Sequence, residues 1–154
     1  MKFNLGRFQF GFTHDTIFNG GQACNEGQAC NDNHAYLERW ILWCGITLRV
    51  HRFLASDADR AIHDHPWWFI TVPFASYGEF IDGDTSEDGG EVYRTVKPWR
   101  PHFRPSHFRH RVQISRVPSW TLVITGPKSN EWGFWQKKGQ EQEFVHNRDW
   151  QRLN

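Results

Sequence analysis

Residues 60–70 read Arg-Ala-Ile-His-Asp-His-Pro-Trp-Trp-Phe-Ile, two histidines one residue apart that run into a proline and a wall of aromatics. On a strand, residues i and i+2 project from the same face, so His63 and His65 point together while Asp64 points away. Two imidazoles about 7 Å apart at the backbone can converge on one ion at about 2.1 Å. By itself the pair is equally compatible with two exposed histidines at a strand end. The rest of the chain has to supply a third ligand from a facing strand.

Working outward, helical periodicity is scarce, whereas period-two patterns bounded by Gly, Pro, Asp and Asn recur from end to end. Phe8, Phe10 and Phe12 alternate in a first strand, with a break at Gly6. Residues 36–43 and 46–54 form two more runs joined at Cys44-Gly45, with Ile46, Leu48 and Val50 on one face and Arg49 and His51 on the other. Residues 67–74, 91–96, 108–114 and 120–125 supply the remaining expected strands, and such spacing predicts an all-β sandwich or barrel. The tail from Lys137 is polar and is read as a short helix or irregular chain.

The third histidine is found in 104–114, RPSHFRHRVQI. His110 leads an alternation in which Val112 and Ile114 share its face and Arg109, Arg111 and Gln113 take the other. A histidine heading an inward face is either satisfied in the core or a ligand, and the upstream HxH favours the ligand. His102 and His107 lie in a Pro-punctuated approach and read as loop residues. His51 shares its face with Arg49, and His14, His34 and His146 stand in polar contexts, so none of these six is assigned a role.

At 154 residues the chain is long enough for one domain with a real core. A formal charge of +1 removes overall attraction to nucleic acid or anionic membrane as a default reading. No apolar run approaches the roughly 20 residues of a membrane span, and the start MKFNLGRFQF is no signal-peptide block, so a cytoplasmic protein is expected. Three cysteines without a CxxC argue against a disulfide framework. Cys24 and Cys30 fall in a tandem hexapeptide, GQACNEGQACND at 21–32, which two copies cannot turn into a solenoid and which reads as a loop expansion over 19–33. The acidic stretch IDGDTSEDGGE, 81–91, lacks the ligand spacing of an EF-hand and reads as a hairpin turn.

The ordered motifs resemble those of the cupins, double-stranded β-helix jelly rolls whose first motif is G(x)5HxH(x)3-4E(x)6G and second G(x)5PxG(x)2H(x)3N. His63-Asp64-His65 matches the HxH, Gly78 falls near the closing glycine, and Pro105 to His110 reproduces the second motif's PxGxxH with His107 in place of glycine. The resemblance spans residues 60–125; the segment WTLVITGPKSNEWGF, 120–134, is also similar to small cupins encoded in phage genomes. The glutamate slot holds Phe69 or Ile70 counted from His65, and Thr71 counted from Gly78, with no carboxylate at any of them. Glu79 is a distant fourth candidate that would have to fold back from a turn. The remaining three-histidine set is similar to that of the thiol dioxygenase branch, which leaves coordination positions open.

The resemblance therefore implies one cupin-like domain over 1–154, with a metal-site core at about 60–125 and a polar tail at 137–154. It implies a divalent ion on His63, His65 and His110, Fe(II) foremost, with Zn, Ni, Cu or Mn also compatible with these ligands. Trp67, Thr71 and Phe108 are expected as pocket wall. The implied activity is oxygenation of a small chelated substrate; the competing reading is a non-catalytic ligand- or protein-binding jelly roll with a structural metal or none. The basic, aromatic strip KPWRPHFRPSHFRHR, 97–111, suggests single-stranded nucleic acid, but the acidic segment 82–91 can neutralise it, and solvated arginines over a barrel mouth are the preferred reading. Strands 67–74 and 120–125 are apolar on both parities, which predicts an outer face covered either by the N-terminal strands or by a second subunit, with a homodimer the preferred reading.

Overall fold

The computed structural model describes residues 2–5, 8–18, 35–43, 46–56, 61–82, 91–138, 141–146 and 149. The hexapeptide repeat with Cys24 and Cys30, Gly6, His34, the Cys44-Gly45 junction and residues 83–90 of the acidic stretch lie outside them. The strands are β1 (Lys2–Leu5), β2 (Phe8–Phe18), β3 (Ala35–Trp43), β4 (Thr47–Phe53), β5 (Ile62–His63), β6 (Phe69–Pro73), β7 (Tyr77–Asp82), β8 (Glu91–Val96), β9 (His102–Arg104), β10 (His110–Gln113), β11 (Ser119–Thr125), β12 (Gly133–Lys138) and β13 (Glu141–His146). They pair antiparallel in two sheets, ordered β1-β2-β3-β4-β11-β6-β9 and β13-β12-β5-β10-β7-β8. Consecutive strands often lie in different sheets, so the chain winds back and forth between two facing antiparallel layers, the arrangement of a jelly-roll barrel. No helix among the described residues is long and apolar enough to cross a membrane.

The period-two patterns survive as burial. Along β11, Ser119, Thr121, Val123 and Thr125 are buried while Trp120, Leu122 and Ile124 are half-buried on the outer side, and β6 repeats the pattern with Phe69, Thr71 and Pro73 inside. The apolar core joins Tyr36, Leu37 and Phe53 from one sheet to Tyr77, Val96, Val112 and Ile114 from the other chain segments facing them. Asp82 pairs with Glu91 at the end of the β7–β8 hairpin, so the acidic stretch connects two paired strands as expected.

Several boundaries differ from the sequence reading. The first strand is not confined to the Phe-rich run but continues to Phe18, pairing along β3. Trp67 and Trp68 precede β6, because the carbonyls of Pro66 and Trp68 are taken by the backbone N–H groups of Ser129, Asn130 and Gly126. His102 is not in a loop but in β9, opposite Thr71, a three-residue strand too short to announce itself by alternation. The polar tail begins as strand: β12 and β13 form a hairpin in which Trp135 and Phe144 pack at 5.2 Å, and Asp149 beyond it is helical. A polar outermost strand suits a sheet edge, which is why its composition hides it.

Candidate metal centre

β5, β10 and β12 run side by side, so that His63 stands directly opposite His110 on one side and Phe134 on the other. His65 follows two residues later on the same face, its N–H donating to the Ser106 carbonyl at 3.2 Å. The three rings form an almost equilateral triangle, with centroids 5.1 Å apart for His63–His65, 5.2 Å for His63–His110 and 5.1 Å for His65–His110. One ring nitrogen from each lies within 4.8 Å of the others, and the Nε2 atoms of His65 and His110 are 2.8 Å apart. Asp64 points the opposite way, as strand parity demands, and accepts from the Gly133 N–H at 2.9 Å and the Trp135 Nε1–H at 3.3 Å. It thereby ties the short β5 to β12.

Behind His110 stands Glu79. Its Oε1 is 2.6 Å from His110 Nδ1, and its Oε2 accepts from Arg104 Nη2 at 2.9 Å and Arg94 Nε at 2.9 Å. Burial alone would raise the carboxyl's pKa, but the hydrogen bond and charge of His110, then those of Arg104, outweigh it and pull the value down to about 2. An ionised carboxylate on Nδ1 makes that nitrogen the N–H and leaves the Nε2 lone pair facing His63 and His65. Glu79 is therefore not a fourth ligand folding back from a turn. It projects inward from within β7, fully buried, and orients a ligand instead of joining the set.

The electrostatics suit a cation. Burial first, then the neighbouring His110 and His63, hold the His65 ring well below the ordinary histidine pKa, which keeps it in the neutral form that can ligate. Apolar rings wall the triangle: Phe69 lies 4.6 Å from His65, Phe108 5.2 Å from His110 and Phe134 5.8 Å from His63. Of the expected wall residues, Phe108 is thus beside the histidines, under the guanidiniums of Arg104 and Arg94 at 4.8 and 5.3 Å. Thr71 is buried and inward-facing but shares a side-chain hydrogen bond with Tyr77. Trp67 carries the guanidinium of Arg49 over its ring at 4.2 Å.

Arg49 and His51 are the residues that sequence reasoning passed over. Opposite the buried Thr121 and Val123 of β11 stand His51 and Arg49, so the polar face of β4 is the one that enters the barrel. Ile46 is exposed, and Leu48 and Val50 lie outside. The available signal was Phe53, which shares the parity of His51 and Arg49 and belongs to the core. The other histidines stay apart from the triangle: His102 Nε2 bonds the Lys97 carbonyl at 2.8 Å, His146 Nε2 lies 3.0 Å from Glu131, His14 stacks on Trp40 at 4.8 Å, and His107 is exposed. In the basic strip, Arg109 pairs with Asp82 at 3.0 Å, Arg111 with Glu91 at 2.6 Å, and Arg104 with Glu79.

No protein-family model and no curated protein sequence matches the chain. Solved structures to which the chain is similar include hydroxypropylphosphonic acid epoxidase from S. wedmorenis, at 12% identity and a TM-score of 0.47, covering 59% of this chain and 51% of that one. They also include the DMSP lyase DddQ from Ruegeria pomeroyi DSS-3, at 22% identity and 0.42, covering 58% and 42%. Oxalate decarboxylase from Bacillus subtilis follows at 17% identity and 0.39, covering 52% and 20%. The match therefore spans about half of the epoxidase and less of the other two.

Proposed function

We propose that this chain holds one divalent ion on His63, His65 and His110, Fe(II) foremost, and oxygenates a small substrate chelated there. The observation that carries this reading is the convergence of three ring nitrogens within 4.8 Å, one of them fixed in its tautomer by a buried carboxylate. The donor set fits such an ion, because neutral imidazoles suit Fe(II), Zn, Ni and Mn alike and no carboxylate occupies the Thr71 position. A redox-active ion with open coordination positions would supply Lewis acidity and one-electron chemistry toward dioxygen. The chain's own part is positioning and exclusion. Glu79 and Arg104 hold His110 still, Asp64 anchors the strand bearing His63, and Phe69, Phe108 and Phe134 keep water from the ligand nitrogens.

Purification without chelator, elemental analysis, and anaerobic iron loading followed by electron paramagnetic resonance with nitric oxide test this reading. About one ion per chain is expected, with a nitric oxide signal in wild type and loss of most metal in His110→Ala. Unchanged metal in His110→Ala removes the triad. Iron that never meets nitric oxide leaves a closed, structural site, and a wild type without metal leaves the non-catalytic binding jelly roll.

The same chain assembles, on this reading, as a homodimer through the outer face of the seven-stranded sheet. Trp40 and Trp120 stack there at 5.5 Å, with Phe12 and Leu42 exposed by 47% and 41% beside them. An exposed apolar face of this kind is the usual material of a two-fold interface. Light scattering at micromolar concentration should give a dimer mass that Leu42→Asp halves; a monomeric wild type rejects the assembly.

A further inference from the structure

Arg49 and His51 lie inside the barrel, and metal binding uses neither. Arg49 Nε and His51 Nε2 are buried atoms without a hydrogen-bond partner among the described residues. A buried unmade hydrogen bond costs about 1–3 kcal/mol, and an uncompensated buried charge costs more, so packing alone does not account for them. Among the described residues the carboxylate that acts on Arg49 is Asp15, which is hydrogen-bonded to Arg39 at 3.2 Å. Arg39 stands opposite His51 in the β3–β4 register, so among the described residues two guanidiniums share one carboxylate and a positive charge is left over.

The excess charge has a defined geometry. Trp67, 4.2 Å beneath the Arg49 guanidinium, follows His65 by two residues, so the ring that supports the arginine is joined through the backbone to a member of the histidine triangle. Arg49 and His51 both stand close enough to His65 to act on its charge. Burial, then Arg39, lowers the Arg49 pKa to about 10, which leaves it a cation at neutral pH. His51 is neutral there, because burial, then Arg49 and Arg39, bring it to about 3. Arg39 and Asp15 touch solvent, with side chains 30% and 44% exposed, whereas Arg49 Nε and His51 Nε2 behind them on the same face are buried.

We infer that Arg49, backed by Trp67 and flanked by His51, is an oxyanion subsite that seats the carboxylate or phosphoryl end of a small substrate whose other end reaches the three histidines. The inference rests on the metal reading above for its second end only. A planar guanidinium whose Nε–H has no partner among the described residues can recognise an oxyanion by charge-assisted hydrogen bonds, and desolvation strengthens them. The substrate class is thus a small bifunctional acid, with a group able to meet the ion at one end and a negative charge at the other.

The test uses malonate, succinate and glutarate, each beside its monoamide, titrated calorimetrically into the full chain with and without Co(II). At least one diacid should bind the Co(II) form about tenfold or more tightly than its monoamide, the loss of one charge-assisted pair. Arg49→Gln should abolish that preference, and Arg49→Lys should keep part of it, with Co(II) content unchanged in both. Absence of any diacid preference in wild type overturns the subsite, and so does its persistence in Arg49→Gln. If Arg49→Gln does not fold, the wild-type comparison and Arg49→Lys decide. A chain that takes up no Co(II) defeats the metal reading instead, and the subsite is then judged on the metal-free titration: succinate or glutarate binding that Arg49→Gln removes supports it, and no binding overturns it.

Discussion

The interior of this barrel has two halves built from the same strands. Toward one end β4 offers Phe53, β3 Leu37, β10 Val112 and β7 Tyr77, which meet in the apolar core. One step of two residues along each strand, the same inward face offers His51, Arg39, His110 and Glu79. The hydrogen bond between Glu79 and His110 spans this seam diagonally, since Glu79 pairs in register with Val112. Stability and chemistry are therefore separated along the barrel axis instead of between core and loops. The lesson is that a polar residue on an inward parity need not be a packing fault when a neighbouring stretch of the same face supplies the core.

The comparison breaks most visibly at the apolar end. Phe53→Ala should cost about 3–5 kcal/mol by denaturant unfolding, with the metal content of the folded fraction unchanged. Loss of metal from well-folded Phe53→Ala would mean the two halves are not separable. At the seam, Glu79→Gln should cost about 3 kcal/mol, because it leaves Arg104 and His110 without their anion, and should also weaken metal binding about 10- to 100-fold. Equal metal affinity in that variant would reduce Glu79 to a purely structural ion pair.

The smallest effect belongs to the polar half alone. His51 has a folded pKa near 3 against 6.5 when unfolded, with Arg49, Arg39 and His65 around it, so below pH 6.5 the unfolded chain takes up a proton that the folded chain refuses. Stability is lost as pH falls, and between pH 6.5 and about 5.5 this histidine alone accounts for about 1 kcal/mol. His51→Gln should flatten the acid side of the stability profile by that amount. An identical slope in the variant would show that His51 is hydrated and outside the chamber.

Much of this molecule was legible in its residues. The HxH pair, the parity that turns Asp64 away, the inward His110 and the all-β class all follow from the two-residue repeat of a strand, a property of local covalent geometry. The short strands β5 and β9 escaped because two or three residues cannot display a period. The tail hairpin escaped because an edge strand wears solvent-facing residues on both sides.

What the sequence by itself determined is which side chains share a face; what only the tertiary structure decided is which face turns inward and whom each residue meets. Glu79 and His110 are 31 residues apart, and their hydrogen bond depends on the register of β7 against β10. The inward turn of Arg49 and His51 depends on β4 pairing with β11, some 70 residues downstream, whose buried threonines and Val123 set the side that faces the interior. Hydrophobicity within β4 pointed to Leu48 and Val50, but pairing with a strand whose own inside is settled overrides it. A sheet has one inner side, and every strand in it must present the same one.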